Sequence, residues 1–389
     1  MSRYLITFGR TPKLALAELK EVLKDEKYSI IFPFERKIYF ETETPLDCNN
    51  LIHILGGTVK IAHEKAALND SNNIPFEITQ ILSQKDTSKI TFGITSWEKN
   101  IDGKKLSKEV KSSLHEKKIL GRFVLSKTED GISSVLIQKQ NVIELQIINI
   151  DSKTIIFETI VVQEFEEWSR RDYQRPEINP KAGMLPPKVA RMMINLAYQV
   201  LKNGKIEKRS PVLLDPFCGV GTIPMESAMM QIRFIAADQS KEMVEKSKKN
   251  IDWLKNTYKL TINSKFFTCD ATHISEHVTL GSIDAIVTEP YLGPNFERIP
   301  TQENILSLIK GLEKLYIGCL KDWNKILSSK WRIVIILPKF RLEKYEISCK
   351  KAIDNCENIG YTLLSGPLEY AREQAIVARE IYILEKRSM

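Results

Sequence analysis

One stretch constrains the fold more than any other: Pro211-Val-Leu-Leu-Asp215-Pro-Phe217-Cys-Gly219-Val-Gly221-Thr222-Ile-Pro-Met-Glu226. A short apolar run ends in an acid, the chain turns through two glycines, and helix-compatible residues follow. That is the strand–loop–helix order of a nucleotide-type cofactor site on an open α/β sheet. The glycines matter because a residue without a Cβ lets the backbone approach a ligand closely.

What the stretch lacks narrows the ligand. A dinucleotide fingerprint requires a further glycine where Pro224 stands. Asp215 at the strand end would repel a pyrophosphate and attract the ammonium of S-adenosylmethionine. Three more segments repeat the pattern. Phe234-Ile-Ala-Ala-Asp238 ends in an acid able to accept hydrogen bonds from ribose hydroxyls, with Gln239 beside it. Lys265-Phe-Phe-Thr-Cys-Asp270-Ala271 offers an acid where an adenine amine would lie. Ile283-Asp-Ala-Ile-Val-Thr288-Glu289-Pro290-Tyr291 ends in a polar-Pro-aromatic segment. Strands that all end in this way place their polar groups on the carboxyl edge of one parallel sheet, where such sheets bind ligands. A single acid of this kind would read as a helix N-cap. The series reads as a site.

The 389 residues leave room for two or three domains. Hydrophobic residues at 43% and charged residues at 27% fit an ordinary soluble globular protein. No apolar run reaches membrane-spanning length. The start, Met1-Ser-Arg-Tyr-Leu-Ile-Thr-Phe8, reads as a strand without a signal-peptide cleavage pattern. Cys48, Cys218, Cys269, Cys319, Cys349 and Cys356 show no C-x-x-C spacing, which predicts a reducing cytoplasm and no structural zinc. A net charge of +8 permits a polyanionic partner.

In chain order, Tyr4–Phe8 reads as a strand and Leu14–Leu23 as a helix by its apolar spacing. Ser29–Phe34 and Lys37–Thr42 form a hairpin pattern, and Leu51–Leu55 a short helix before Gly56-Gly57. This order predicts a small α+β module over residues 1–60. A second module, 61–162, is expected to hold a helix at Phe76–Leu82, a strand at Ile90–Thr95 and a helix at Leu106–Leu114. Strands at Arg122–Leu125, Ser134–Ile137 and Val142–Ile148 complete it. Lys104, Lys105, Lys108 and Lys111, with Lys117, Lys118 and Arg122 nearby, read either as a solvated helix face or as a phosphate-contacting patch. Residues 163–187 are turn-rich, basic and aromatic, and read as a linker and a lip of the cofactor site. From 188 the chain opens with an amphipathic helix. After the four strands it is expected to continue with a helix at Asn304–Leu327, a buried strand at Trp331–Pro338, a helix at Lys344–Asn358 and two closing strands. His53 and His63 read as packing or surface residues. His273 and His277 read as a surface or capping pair, because two histidines without a third ligand do not make a metal site. Arg372 and Glu373 are weaker candidates for substrate contact.

Asp215-Pro-Phe-Cys-Gly-Val-Gly-Thr222 resembles the D-P-x-C-G-x-G-T loop of THUMP-domain RNA methyltransferases. Arg171-Asp-Tyr-Gln-Arg175-Pro176 and Gly183-Met-Leu-Pro-Pro-Lys-Val-Ala-Arg191 look like the entry region of the archaeal and eukaryotic tRNA guanine-N2 methyltransferases acting on guanosine ten. Tyr4–Leu19 is similar to their N-terminal module. The resemblance implies an α/β fold: a Rossmann-like S-adenosylmethionine-dependent methyltransferase domain at 188–389, preceded by a ferredoxin-like module and a THUMP domain that grips tRNA. It places Phe217, Gly219, Gly221, Asp238, Asp270 and Ala271 in the cofactor motifs and implies tRNA as partner. The candidate RNA contacts, Lys104, Lys105, Lys108, Lys111, Arg122, Arg171 and Arg175, rest on their charge and place in the chain, not on a family motif. A small zinc-binding activator protein is a further partner to be expected.

The family's catalytic motif reads D-P-P-Y, in which the acid and a backbone carbonyl hold the exocyclic amine and the ring stacks on the base. Here it is Thr288-Glu289-Pro290-Tyr291. In one register Thr288 takes the acid position; in the other Glu289 does, and the tyrosine falls one residue early. Two rivals remain open on these residues: a DNA adenine-N6/cytosine-N4 amino-methyltransferase, and a catalytically weak tRNA-binding relative.

Overall fold

A computed structural model describes residues 1–69, 73–98, 101–126, 131–179, 183–197, 211–296, 298–343, 345–371 and 375–388. In chain order it begins β1 (Ser2–Phe8), α1 (Pro12–Val22), β2 (Tyr28–Pro33), β3 (Lys37–Thr42), α2 (Cys48–Ile54), β4 (Thr58–Leu68) and α3 (Ile74–Ser83). Next come β5 (Lys89–Ser96), α4 (Gly103–Glu116), β6 (Leu120–Val124), α5 (Ser134–Gln140), β7 (Ile143–Ile150), β8 (Lys153–Val162), α6 (Phe165–Tyr173) and α7 (Pro187–Ala197). Then follow β9 (Val212–Asp215), α8 (Thr222–Met229), β10 (Arg233–Asp238), α9 (Lys241–Tyr258), β11 (Ser264–Thr268), a 3-10 helix (Ala271–Glu276) and β12 (Ile283–Thr288). The chain closes with α10 (Gln302–Ile326), β13 (Leu327–Arg341), β14 (Glu346–Ser348), α11 (Lys351–Asp354), α12 (Cys356–Ile359), β15 (Tyr361–Tyr370) and β16 (Val377–Lys386). Two compact units divide it: Met1–Pro12, Leu23–Ile54 and Thr58–Glu167 in one, Lys13–Val22, Leu55–Gly57 and Trp168–Met389 in the other.

The first unit is built on one sheet of order β2-β3-β1-β4-β8-β7-β5-β6. Side chains alternate across it, as the two-residue period of a strand dictates. Ile156 joins the cluster of Ile78, Leu82, Leu106, Val110 and Leu114 from α3 and α4. Its neighbours Ile155 and Phe157 join Leu5, Tyr39 and Ala62 in another. The boundary expected near residue 60 falls inside β4, which pairs with both β1 and β8, so one continuous sheet crosses it.

The second unit carries the sheet β11-β10-β9-β12-β13-β16-β15, with β14 on the outer part of β13. β11, β10, β9, β12 and β13 run parallel, and β16 lies antiparallel between β13 and β15. The chain starts in the middle at β9, moves outward through β10 and β11, then returns to the other side of β9 with β12. That reversal opens a crevice at the carboxyl ends of β9 and β12. On α10, Ile309, Leu312, Tyr316, Leu320 and Trp323 recur at three- and four-residue spacing and are buried in the main core. Thr301 starts this helix by accepting the amide of Asn304 at 3.3 Å.

Several expectations change. Ser134–Ile137 belongs to helix α5, capped by Ser133, rather than to a strand; so short an apolar run carries no decisive periodicity. The expected helix at Lys344–Asn358 is strand β14 followed by two single turns, α11 and α12; Lys344 itself is outside the described residues. The linker at 163–187 contains helix α6, and from Trp168 onward it belongs to the second compact unit. Strand β8 was not foreseen. Among the described residues no helix is long and apolar enough to cross a membrane.

Candidate active site

A cavity of about 960 Å³ opens at the carboxyl ends of β9, β10 and β12. It is lined by Asp215, Phe217, Gly219 and Thr222 of the glycine loop, by Asp238 and Gln239, and by Glu289, Pro290 and Tyr291. The four-strand pattern therefore converges for three of its strands. Asp270 and Ala271 do not line this cavity. Asp270 caps the 3-10 helix, accepting the amide of Thr272 at 2.8 Å, and that bond holds its carboxyl below the usual range.

The loop itself is held from several sides. The amide of Gly221 donates to the Cys218 carbonyl at 2.7 Å, and that of Cys218 to the Ala237 carbonyl at 2.9 Å. Asn250 on α9, which the sequence reading missed, donates to the Val220 carbonyl at 2.7 Å. Gly221 sits at φ +90°, where a Cβ would lie 2.4 Å from Ser247 Oγ. Gly219, at φ +50°, has no heavy atom within 4 Å of where a Cβ would stand. One glycine is needed for packing, then, and the other offers bare backbone.

Asp215 is buried at the end of β9. Its Oδ1 accepts from Thr288 Oγ1 at 2.8 Å and from the Phe217 amide at 3.2 Å. Its Oδ2 has no hydrogen-bond partner among the described residues. Burial pushes this carboxyl up to about 7, with those two hydrogen bonds pulling the other way and the charges of Asp238 and Glu289 adding to the rise. Asp238 accepts the Gly219 amide at 3.0 Å on Oδ2 and the Ser240 amide at 2.9 Å on Oδ1. Burial raises it as well, and the two amides oppose the rise. Each of its oxygens keeps a lone pair for a ligand hydroxyl. The only basic side chain lining the cavity among the described residues is Arg379. Carboxylates with spare acceptors, bare glycine backbone and the ring of Phe217 fit a cationic nucleoside ligand such as S-adenosylmethionine.

The two registers of the polar-Pro-aromatic segment become distinguishable in space. Thr288 is fully buried and turned to Asp215. Glu289 lines the cavity, and its Oε1 accepts from Arg379 Nε. Pro290 is buried, while Tyr291 is 52% exposed at the rim. The hydroxyl of Tyr316 on α10 donates to the Tyr291 carbonyl at 2.7 Å and pins the segment. Arg379 on β16 was missed by the sequence reading; its only signal was a charged residue within the alternating Ala378-Arg-Glu-Ile-Tyr382.

Other expected site residues lie elsewhere. Arg171 and Arg175 are each 3% exposed, which removes them from any RNA-facing surface. Arg171 Nε and Arg191 Nη2 each donate to the fully buried Glu226 at 2.7 Å. A carboxylate buried on α8 requires such compensation. Arg175 donates to Thr222 Oγ1 at 2.7 Å, behind the glycine loop. Lys104, Lys105, Lys108 and Lys111 are carried on α4, opposite Leu106, Val110 and Leu114; Arg122 is exposed on the edge strand β6. His277 stacks on Phe267 at 5.4 Å, and no group of His, Cys, Asp or Glu among the described residues could hold a metal ion. Arg372 and Glu373 lie outside the described residues.

The parallel sheet, its antiparallel last pair and this cavity define a Rossmann-like methyltransferase domain. Residues 180–352 match the family described as UPF0020, RMKL-like, methyltransferase domain. More particularly, the chain is similar to the tRNA (guanine(10)-N2)-dimethyltransferase of Pyrococcus abyssi, 27% identical over 58% of this chain and 56% of that protein. It is also similar to the enzyme of the same name from Methanothermobacter thermautotrophicus, 31% identical over 37% of this chain and 38% of that one. The matches thus span about half the length of these relatives or less. The crystal structure of TrmN from Thermus thermophilus shares the fold, with a TM-score of 0.55 at 15% identity over 99% of this chain and 100% of that one.

Proposed function

We propose that this protein transfers a methyl group from S-adenosylmethionine to the exocyclic N2 amine of a guanosine in tRNA, at position ten, in the cytoplasm. The observation that carries the reading is the convergence in one cavity of the glycine loop, Asp215 and Asp238 with Glu289, Pro290 and an exposed Tyr291. The names of its relatives supply the tRNA and the nucleotide.

The bound cofactor would supply a methyl group already electrophilic on a sulfonium. The task left to the protein is the amine, a poor nucleophile because its lone pair is shared with the ring. Glu289 presents a carboxylate to the cavity, able to accept an N–H and to stabilise positive charge as it develops on nitrogen. Tyr291 offers the stacking surface for a base taken out of its helix. Asp215 matches a ligand cation and Asp238 a ribose. Catalysis of this kind rests on positioning and electrostatics, without a covalent intermediate.

The experiment is methyl transfer from labelled S-adenosylmethionine to total tRNA, followed by nucleoside analysis. Label in N2-methylated guanosine supports the reading. Label in DNA but not in tRNA would replace it with a DNA amino-methyltransferase. Binding of tRNA without transfer would replace it with a non-catalytic relative.

A further inference from the structure

We propose that Arg379 is a positioning residue of this site, gripping Glu289 by one carboxylate oxygen and the lip by the Gly183 carbonyl, so that the other oxygen of Glu289 is presented to the amine. The inference rests on the function proposed above and adds a residue to it.

Arg379 Nε donates to Glu289 Oε1, and its Nη2 donates to the Gly183 carbonyl oxygen. Both partners line the cavity, so one planar fork joins the end of β12 to the segment before α7. The guanidinium lies 5.8 Å from the ring of Tyr370, its antiparallel neighbour on β15. Such a fork is pre-organised, and it holds two acceptors in a fixed relation that a lysine ammonium could not reproduce. Glu289 Oε2 has no partner among the described residues. The pairing therefore divides the carboxylate into an anchored oxygen and an available one.

A glutamate needs this more than an aspartate would. It has one more rotatable bond, and an unanchored side chain must lose that freedom when substrate binds. At side-chain exposures of 13% and 18%, Arg379 and Glu289 are also poorly screened by water. Three groups face Glu289 from neighbouring elements: Arg379 from β16, Asp215 from β9 and the Tyr316 hydroxyl from α10. Only the first is cationic. Burial raises the Glu289 carboxyl and Arg379 opposes the rise. Without Arg379 the carboxyl would move further up, and the acidic limb of the rate profile, which needs it ionised, would move up with it.

The test compares Arg379→Ala and Arg379→Lys with the wild-type full chain. Single-turnover transfer to tRNA is followed across pH, S-adenosylmethionine affinity by calorimetry, and Glu289 ionisation by carboxyl infrared titration with Glu289→Gln as the difference reference. Arg379→Ala is expected to lower the transfer rate about tenfold or more on the alkaline plateau and to shift both the acidic limb and the infrared titration upward. Cofactor affinity should stay within about twofold. Arg379→Lys keeps the charge and should return the limb close to its wild-type place while restoring only part of the rate. A folded Arg379→Ala with wild-type rate overturns the proposal. So does a rate loss in which neither the limb nor the infrared titration moves, because that is the mark of a structural residue alone. If the wild type itself transfers nothing to tRNA, the proposed function fails, and the infrared titration still decides whether Arg379 controls Glu289.

Discussion

Replacing Asp215 by asparagine separates the charge of a buried acid from its shape. Both hydrogen bonds recorded for the carboxylate, from Thr288 and from the Phe217 amide, arrive on Oδ1, and an asparagine oxygen accepts both. What changes is the charge beside the cavity. Asp215 is 1% exposed, and burial lifts its carboxyl from 3.8 to about 7. A rise of about three units corresponds to about 4 kcal/mol. The folded state favours the protonated acid, so stability from this group is whole below about pH 4, declines as pH rises, and is lost above about pH 7. Without ligand, Asp215→Asn should therefore match the wild type near pH 4 and exceed it by up to about 4 kcal/mol at pH 8. A cationic ligand reverses the advantage, since it favours the ionised acid. Below about pH 7 the wild type must release a proton to bind S-adenosylmethionine, and its affinity should fall by up to about tenfold per pH unit. Asp215→Asn should lose that acidic limb and bind more weakly at neutral pH. The ligand's own amino group, with an ordinary value of about 7.7–8.0, shapes the alkaline side alike in both proteins. Denaturant unfolding at several pH values and calorimetry in two buffers of different ionisation heat give both readouts. Parallel stability curves for the two proteins, or an acidic limb that survives in Asp215→Asn, would refute the assignment of this acid.

Glu289→Gln should lower single-turnover transfer about 10²-fold with cofactor and tRNA affinities little changed, whereas Thr288→Val should cost mainly about 1–3 kcal/mol of stability through its missing bond to Asp215. A rate loss confined to Thr288→Val would return the motif to the other register. Changing Lys104, Lys105, Lys108 and Lys111 together to alanine should weaken tRNA binding and flatten its salt dependence, by about 0.7–0.9 in log–log slope for each phosphate no longer neutralised. An unchanged slope would make α4 a solvated face. Gly221→Ala should destabilise by about 2–4 kcal/mol in denaturant unfolding, from left-handed strain plus the clash with Ser247, and Gly219→Ala by only about 1–2 kcal/mol. Equal costs at the two glycines would contradict the packing described for Gly221.

The glycine-loop edge of the candidate site was legible in the sequence because it is local, although Asp270 and Ala271, read the same way, lie outside the cavity. Asp215, Phe217, Gly219, Gly221 and Thr222 lie within one strand–loop–helix turn, and Asp238 is the last residue of the next strand. The spacing alone puts such groups at one sheet edge, since a parallel strand delivers its carboxyl end to the same side each time. Burial is not written in that spacing. Arg171 and Arg175 read as basic surface until Glu226, far along the chain, is seen to occupy the interior and draw Arg171 with it, while Arg175 turns to Thr222. The register of Thr288 and Glu289 was equally undecided, because adjacent strand residues point to opposite sides and only the neighbours tell which side is the cavity. Arg379 reaches Glu289 across 90 residues of chain, from a strand inserted antiparallel between β13 and β15. Local chemistry thus specified the ligand edge. Which charges meet there was decided by strand order and burial, and these depend on long-range pairing that no single segment encodes.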